Sequence, residues 1–599
     1  MSRATQADLR LSPNARAVLE RRYLRKDVDG RVVETPDGMF RRVARAIAEV
    51  DRAYEGESGA ARMEEAYYGA MAGLRFLPNS PTLMNAGTLM GQLAACFVLP
   101  VGDSIPEIFD AVRNMALVHQ SGGGTGFSFS RLRPEGDVVH ETGGVASGPV
   151  SFMRVFDTAT EVIKQGGRRR GANMGVLRVD HPDIERFIAA KDSQDALTNF
   201  NLSVAVPDAF MHAVHQDAVW ELVNPRTTRV TSTVPARRLW ALLRDAAWHT
   251  GDPGVLFIDE INRCNPTPGL GQIEATNPCG EQPLLPFEAC NLGSINLAPL
   301  ARPAGFDWQG LDEVTRLAVR FLDNVVDAGS YPLPEIARIT LANRKIGLGV
   351  MGLAEALILL DVPYASERAV AFASRVMERI SEAAREASAA LARQRGSFPN
   401  FAESTWPGRG YEAMRNASLT TVAPTGTISI IAGTSSGIEP LFAVAYYRNV
   451  LEGTELAEVS PLFVDALEKR GLTADPIVEE VSRTGTIQQM RHLPIDLRRR
   501  FQTALDIAPE WHVRMQAAVQ RHTDSGVSKT VNLPSNATVA DVSRLFELAW
   551  TSRCKGITVF RYGCRGEQVL TFGKIPSFAR TEAAHAHSEY AGDCRVCST

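Results

Sequence analysis

The most informative segment of the chain is Asn277-Pro278-Cys279-Gly280-Glu281. Pro278 and Gly280 both oppose a helix. In an extended segment side chains alternate, so Asn277, Cys279 and Glu281 are expected to project to one side. That sets an amide, a thiol and a carboxylate in a row. A neighbouring negative charge raises a thiol's pKa and makes it a poor thiolate nucleophile. A hydrolase would place a histidine there. The arrangement suits chemistry in which the sulfur acts as a neutral S–H group and the carboxylate serves as base toward a substrate hydroxyl.

Working outward, Cys290 follows in Ala289-Cys290-Asn291-Leu292, and Cys96 lies far upstream in Ala95-Cys96-Phe97. After about Gly566 the sequence loses its periodicity, and Lys574 to Gly592 reads as a flexible tether ending in Cys594-Arg595-Val596-Cys597. The set reads as one lone thiol, one candidate redox pair and one mobile C-x-x-C reductant. His585 and His587 precede the C-x-x-C, so the tail also admits zinc. Cys264, Cys554 and Cys564 read as small buried hydrophobes.

Several glycine motifs surround this core. Pro424-Thr425-Gly426-Thr427-Ile428-Ser429 follows the apolar run from Leu419 to Val422 and leads into Ile430-Ile431-Ala432. Hydroxyls and backbone N–H groups at such a turn bind phosphate or simply cap a helix. A Walker lysine is absent, so ATP hydrolysis is not indicated. Gly122, Gly123, Gly124 and Gly126 would let backbone approach a large ligand, or form a plain turn. Gln165 to Gly171 is a basic loop, either solvated or reading a nucleotide. Gly347-Leu348-Gly349-Val350-Met351-Gly352 matches G-x-G-x-x-G, but Ala342-Asn343-Arg344-Lys345 before it is too polar for a buried strand and Asp361 comes too early. Close backbone packing explains it better than a dinucleotide.

Composition sets the frame. The chain has 599 residues, 45% hydrophobic and 22% charged, which excludes wholesale disorder. A net charge of −4 lacks the basic excess of a nucleic-acid-coating protein. No stretch approaches the roughly 18 apolar residues of a membrane helix, and no secretory signal is read at the start. Eight cysteines are too sparse for a disulfide scaffold, so a cytoplasmic location is expected. Phe40, Val43, Ile47 and Val50 recur at helical spacing, and Glu367 to Arg395 reads as a long helix ended by Gly396. Strand-like runs such as Cys96 to Leu99, Val176 to Val179 and Leu202 to Val206 alternate with helices, which suggests an α/β architecture.

At Asn277 to Glu281 the chain resembles a ribonucleotide reductase large subunit, most closely the adenosylcobalamin-dependent (class II) kind. The same resemblance is carried by Phe76-Leu77-Pro78-Asn79-Ser80-Pro81-Thr82-Leu83, the Cys96 segment, Cys290-Asn291-Leu292, Pro424 to Ser429 and Cys554-Lys555-Gly556-Ile557-Thr558. It implies a ten-stranded α/β barrel of two five-stranded halves over residues 76–570, with Cys279 on a finger loop inside. A helical region, 1–75, would precede the barrel, and the tail, 571–599, would follow. No ATP-cone is recognised in the first region, so on–off control by ATP and dATP is not expected.

The resemblance further implies that Cys279 becomes the thiyl radical that removes the ribose 3′ hydrogen. Glu281 would accept the 3′-hydroxyl proton and Asn277 would bind the ribose hydroxyls. Cys96 and Cys290 would reduce the substrate and end as a disulfide, which Cys594 and Cys597 would re-reduce for a thioredoxin-like protein. Pro424, Thr425, Gly426, Thr427, Ile428 and Ser429 would hold the substrate phosphates, with Ser80 close by. Asp103, Arg133 and the loops 131–146 and 165–174 resemble the region that binds a deoxynucleotide specificity effector, and a homodimer is implied. Class I members carry a tyrosine pair after a Lys-Thr dipeptide; here Val527-Ser528-Lys529-Thr530-Val531-Asn532-Leu533 puts Val531 and Asn532 in their place. A glycyl-radical site is not found either. Adenosylcobalamin beside Cys279 is then the implied radical source, with Gly122, Gly123, Gly124 and Gly126 as candidates for the corrin. No D-x-H-x-x-G motif offers cobalt a histidine, so no protein metal ligand is expected. The competing readings are a class I large subunit, a nicotinamide-dependent dehydrogenase built on Gly347 to Gly352, and a non-catalytic nucleotide- or cobalamin-binding regulator.

Overall fold

Strand runs that are apolar on both faces need cover on both sides, which a parallel sheet wrapped in helices provides. The computed structural model describes residue 9 and residues 11–139, 144–165, 169–193, 195–450, 454–564 and 570–571. Its principal sheet has ten strands: β1 (Phe76–Pro78), β2 (Cys96–Val98), β3 (Gly124–Ser128), β4 (Asn173–Arg178), β5 (Phe200–Val206), β6 (Gly254–Phe257), β7 (Ala289–Asn296), β8 (Ile346–Met351), β9 (Thr530–Leu533) and β10 (Gly556–Arg561).

Strands β2 to β6 run parallel in sequence order. β6 then meets β10 antiparallel, and β10 lies parallel to β9. On the other side β2 meets β7 antiparallel, and β7 lies parallel to β8. The gap between β8 and β9 is closed by residues 419–422, through parallel bridges Leu348↔Thr420 and Val422↔Val527. The closure is hydrogen-bonded on both edges: Leu348 N–H donates to Leu419 O (2.8 Å), and Val422 N–H donates to Gly526 O (3.1 Å). The ring therefore holds two parallel five-stranded halves that meet antiparallel at two seams. β1 is an extra strand, antiparallel to β7 and outside the ring.

Helices pack around this ring. Helix Pro36–Ala48 buries Phe40, Val43 and Ile47, as their spacing requires. Helix Glu367–Arg395 has the expected bounds, capped by Ser366, whose Oγ accepts the Ala369 N–H, and ended by Gly396 at φ +85°. A buried ion network joins the N-terminal helices to the ring: Arg320 bonds Asp51 (2.8 Å), while Arg344 (2.8 Å) and Arg415 (3.1 Å) bond Asp323. The G-x-G-x-x-G run is itself β8. A Cβ on Gly349 would lie 2.3 Å from Thr421 O, so these glycines serve close strand packing and not a dinucleotide.

Between β6 and β7 the chain turns into the barrel as a hairpin, with Ala275–Thr276 paired to Pro283–Leu284. Both halves make room for this finger loop. A Cβ on Gly126 of β3 would lie 1.7 Å from Thr276 O, and one on Gly526 would lie 2.6 Å from Gly280 O. Both halves also bond it: Asn201 Nδ2 donates to Pro278 O (2.9 Å), while Gly526 N–H (2.7 Å) and Thr421 Oγ1 (2.9 Å) donate to Glu281 O. Gly126→Ala is expected to push the finger loop off its seat and cost about 1–3 kcal/mol of stability, the usual range for overpacking, measured by denaturant unfolding.

Candidate active site

The tip of the finger loop is a turn and not the extended segment expected from sequence. Gly280 N–H donates to Asn277 O (3.1 Å) and Asn277 N–H to Gln282 O (3.1 Å). Gly280 takes φ +80°, where a side chain is strained. Asn277 Oδ1 closes the turn by accepting the Gln282 N–H (2.9 Å). Asn277, Cys279 and Glu281 still converge, because the turn wraps them around one end of a cavity and all three line it.

Cys96 joins them from β2. Asn277 Nδ2 donates to Cys96 Sγ (3.1 Å), and Cys96 Sγ lies 3.8 Å from Glu281 Oε1. Glu281 is 2% exposed, and its Oε2 has no hydrogen-bond partner among the described residues. Burial pushes its carboxyl up to about 7, against the opposing hydrogen bonds from Asn277, its own N–H and Cys96. The group is poised to hold or release a proton near neutrality.

Cys96 and Cys290 are direct cross-strand partners at the antiparallel seam between β2 and β7. Residues so opposed have Cα atoms about 4.5–5.5 Å apart, a separation that a disulfide spans. Neither is in a disulfide in this structure. Cys290 is fully buried, and burial raises its thiol well above the ordinary range.

Cys279 lies between two cavities. The first, about 650 Å³, holds the residues above together with Ser80, Pro424, Thr425, Gly426, Thr427 and Ile428. These last head a helix, Gly426–Ala432, whose first intrahelical bond is Ser429 N–H to Thr425 O (2.9 Å). N–H groups ahead of such a bond are the ones a helix offers to outside acceptors. Ser429 itself is turned away, with its Oγ on Gly426 O and Ser436 Oγ. Ser80 Oγ shares a hydrogen bond with Tyr23 Oη (2.7 Å). The second cavity, about 800 Å³, lies on the other side of Cys279 and is lined by Asn201, Asp252, Gln516, Lys529 and Lys555 among others.

The glycines expected to approach a corrin do other work. Gly124 and Gly126 face Pro278 and Thr276 of the finger loop, and a Cβ on Gly123 would strike Phe97 and Val118. A Cβ on Gly122, at φ +102°, would meet Asn85 Nδ2 at 4.0 Å, an ordinary contact. Their small size is used by the protein's own finger loop and core. Asp103 and Arg133 form an ion pair (2.9 Å) that lines neither cavity. Cys594, Cys597, His585 and His587, and parts of the loops 131–146 and 165–174, lie outside the described residues. Among the described residues no cluster of His, Cys, Asp or Glu is placed to hold a metal ion, and no helix is long and apolar enough to cross a membrane.

Sequence reasoning missed two buried ion pairs beside the site. Lys345 Nζ bonds Glu288 Oε2 (2.6 Å) next to Cys290. Lys529 pairs with Glu439 and shares a hydrogen bond with His512 Nδ1 (3.0 Å) at the wall of the second cavity. A lysine directly adjoining a strand, as in Lys345-Ile346 and Lys529-Thr530, is the signal that could have found them.

The chain matches the family descriptions "Ribonucleotide reductase, barrel domain" over residues 94–412 and 409–560 and "Ribonucleotide reductase, all-alpha domain" over 9–91. It is 50% identical to a protein of Mycobacterium tuberculosis named vitamin B12-dependent ribonucleoside-diphosphate reductase, over 98% of this chain and 82% of the relative. A Thermoplasma acidophilum protein of the same name is 48% identical over 94% and 81%. The solved class Id ribonucleotide reductase alpha subunit of Actinobacillus ureae superposes with a TM-score of 0.76 at 23% identity, covering 92% of this chain and 97% of that one, which shows a shared fold.

The raised Glu281 carboxyl has a consequence for stability. Between pH 4.5 and about 7 the folded chain keeps a proton that the unfolded chain has lost, so stability falls as pH rises through that window. Relative to Glu281→Gln, the parent is expected to lose about 3 kcal/mol across it, measured by denaturant unfolding at a series of pH values.

Proposed function

This chain belongs to the ribonucleotide reductase family, and we propose that it is an adenosylcobalamin-dependent (class II) reductase converting ribonucleoside diphosphates to 2′-deoxyribonucleoside diphosphates. The observation that carries this reading is the position of Cys279, a single cysteine on a finger loop with a cavity on each side. The cavity containing Glu281, Cys96 and the 424–428 segment suits a nucleotide, with ribose at the finger loop and phosphates at the helix N–H groups and hydroxyls. The other cavity suits the cofactor. Gln516 Oε1 is buried there without a partner among the described residues and awaits a donor. Gln516, Asn201 and Lys529 would hold the cofactor's polar side. When bound, adenosylcobalamin supplies an unpaired electron by homolysis of its cobalt–carbon bond. At the class I tyrosine positions, Val531 is packed in the core and Asn532 is buried.

The chain's own residues then act as follows. Cys279, as a thiyl, takes the hydrogen from C3′ of the ribose. Asn277 orients the ribose hydroxyls, and Glu281 receives the 3′-hydroxyl proton, for which a carboxyl near neutrality is suited. The 2′-hydroxyl leaves as water with a proton from the cysteine pair. Cys96 and Cys290 together give two electrons and two protons and become a disulfide. Cys279 returns its hydrogen to C3′. The tail cysteines, Cys594 and Cys597, pass electrons from a thioredoxin-like reductant. A deoxynucleotide effector near Asp103 and Arg133 and a homodimer complete the reading. The homodimer is supported by an apolar stripe on helix Ile105–Gln120, where Ile105, Phe109 and Leu117 are exposed.

The test supplies ribonucleoside diphosphate and a dithiol with and without adenosylcobalamin. Deoxynucleotide is expected only with the cofactor, and turnover indifferent to it would end the class II reading. Cys279→Ser should fall to background. The acid limb of kcat/KM should inflect near pH 7, where Glu281 loses its proton, and Asn277→Ala should move it upward by removing a hydrogen bond to the carboxylate. Cys594→Ser should spare turnover with a small dithiol and impair turnover with a protein reductant.

A further inference from the structure

The two sulfurs of the candidate redox pair sit in different surroundings. Cys96 lines the cavity that contains Cys279 and Glu281; Cys290 is not among the residues lining either cavity and is fully buried behind it. Cys290 Sγ points to backbone carbonyls, Asn291 O (3.4 Å) and Lys345 O (3.6 Å). The charged and titratable side chains acting on it are Lys345, Glu288 and Glu281, with Tyr331 also near. Lys345 is the cation of the set. It stands one residue before β8, where Asn291↔Ile346 are register partners, so it runs beside Cys290.

Glu288 does not use up this cation. Its carboxylate is bonded by three donors: Leu285 N–H, Asn343 Nδ2 and Lys345 Nζ, each at 2.6 Å. The ammonium makes one hydrogen bond among the described residues, to Glu288, and so retains two further N–H groups. Both charges are 2% exposed or less, in surroundings where an ammonium strongly favours a nearby anion.

Resting on the redox-pair assignment above, we propose that re-reduction is directional: the reductant's thiolate attacks Cys96 Sγ, and Cys290 leaves as the thiolate, steadied by Lys345. In the first step a bond forms between the attacking sulfur and Cys96 Sγ, while the Cys96–Cys290 bond breaks and its electron pair goes to Cys290 Sγ. In the second step the other thiol of a vicinal dithiol attacks its own partner sulfur, releasing Cys96 and closing the reductant's disulfide. The dithiol loses two electrons and two protons, and Cys96 and Cys290 gain them. Access selects the attacked sulfur and stabilisation of the leaving thiolate speeds the step, the two factors that govern thiol–disulfide exchange. Lys345 is a positioning residue here, since it touches neither substrate nor cofactor.

The experiment uses the full chain with Cys594→Ser and Cys597→Ser, oxidised with diamide. After brief exposure to limiting 2-mercaptoethanol, acid quench and alkylation, mass mapping should find the mercaptoethanol on Cys96 and the alkyl group on Cys290. An adduct on Cys290 would overturn the proposal. Reduction of the disulfide by dithiothreitol should be about tenfold slower in Lys345→Met/Glu288→Gln, which removes both charges and leaves no buried unpaired carboxylate. Lys345→Arg, with Glu288 kept, should recover most of the rate. Equal rates in parent and charge-free variant would remove Lys345 from the step. If oxidation yields no Cys96–Cys290 disulfide at all, the redox-pair assignment itself fails, a result distinct from an adduct on the wrong sulfur.

Discussion

A hairpin can cross the inside of a ten-stranded ring only where the walls lack side chains. Gly126 on one half and Gly526 on the other bring bare backbone to Thr276 and Gly280. Asn201, Thr421 and Gly526 then satisfy the hairpin's carbonyls. A buried loop must have its polar backbone satisfied, and here the walls of both halves do so. The placement of Cys279 follows from that seat, and so does the burial of Glu281. The elevated carboxyl pKa is thus a by-product of threading a loop through a packed core.

The seams between the two halves carry the rest. Parallel strands cannot place two cysteines from distant parts of the chain opposite each other with the simplicity of an antiparallel pair. The seam between β2 and β7 does so with Cys96 and Cys290. The same seam brings Cys96 against the finger loop, so Cys96 and the carboxylate share one corner of the cavity, with Cys290 buried behind.

Much of this was legible in the residues. The helix from Glu367 to Arg395 announced its end through Gly396, and the structure adds the cap at Ser366. The conjunction of Asn277, Cys279 and Glu281 was visible, although its geometry was misjudged: alternation was assumed where Gly280 permits a turn. Closure of the ring was not legible, because residues 419–422 pair through isolated bridges on each side and carry no strand-length pattern. The role of Gly124 and Gly126 was hidden too, since a missing side chain does not say what occupies the space. Lys345 and Glu288 lie 57 residues apart, and Lys529 and Glu439 90 apart, so their pairing is a product of topology alone.

The partition made by the finger loop has a broader consequence. On the proposed reading, one chamber would handle the sugar and the other the source of the odd electron, with the Cys279 sulfur standing between them. Whatever delivers the electron need never meet the nucleotide. On that reading, a change in the initiating apparatus would leave the reducing chamber as it stands.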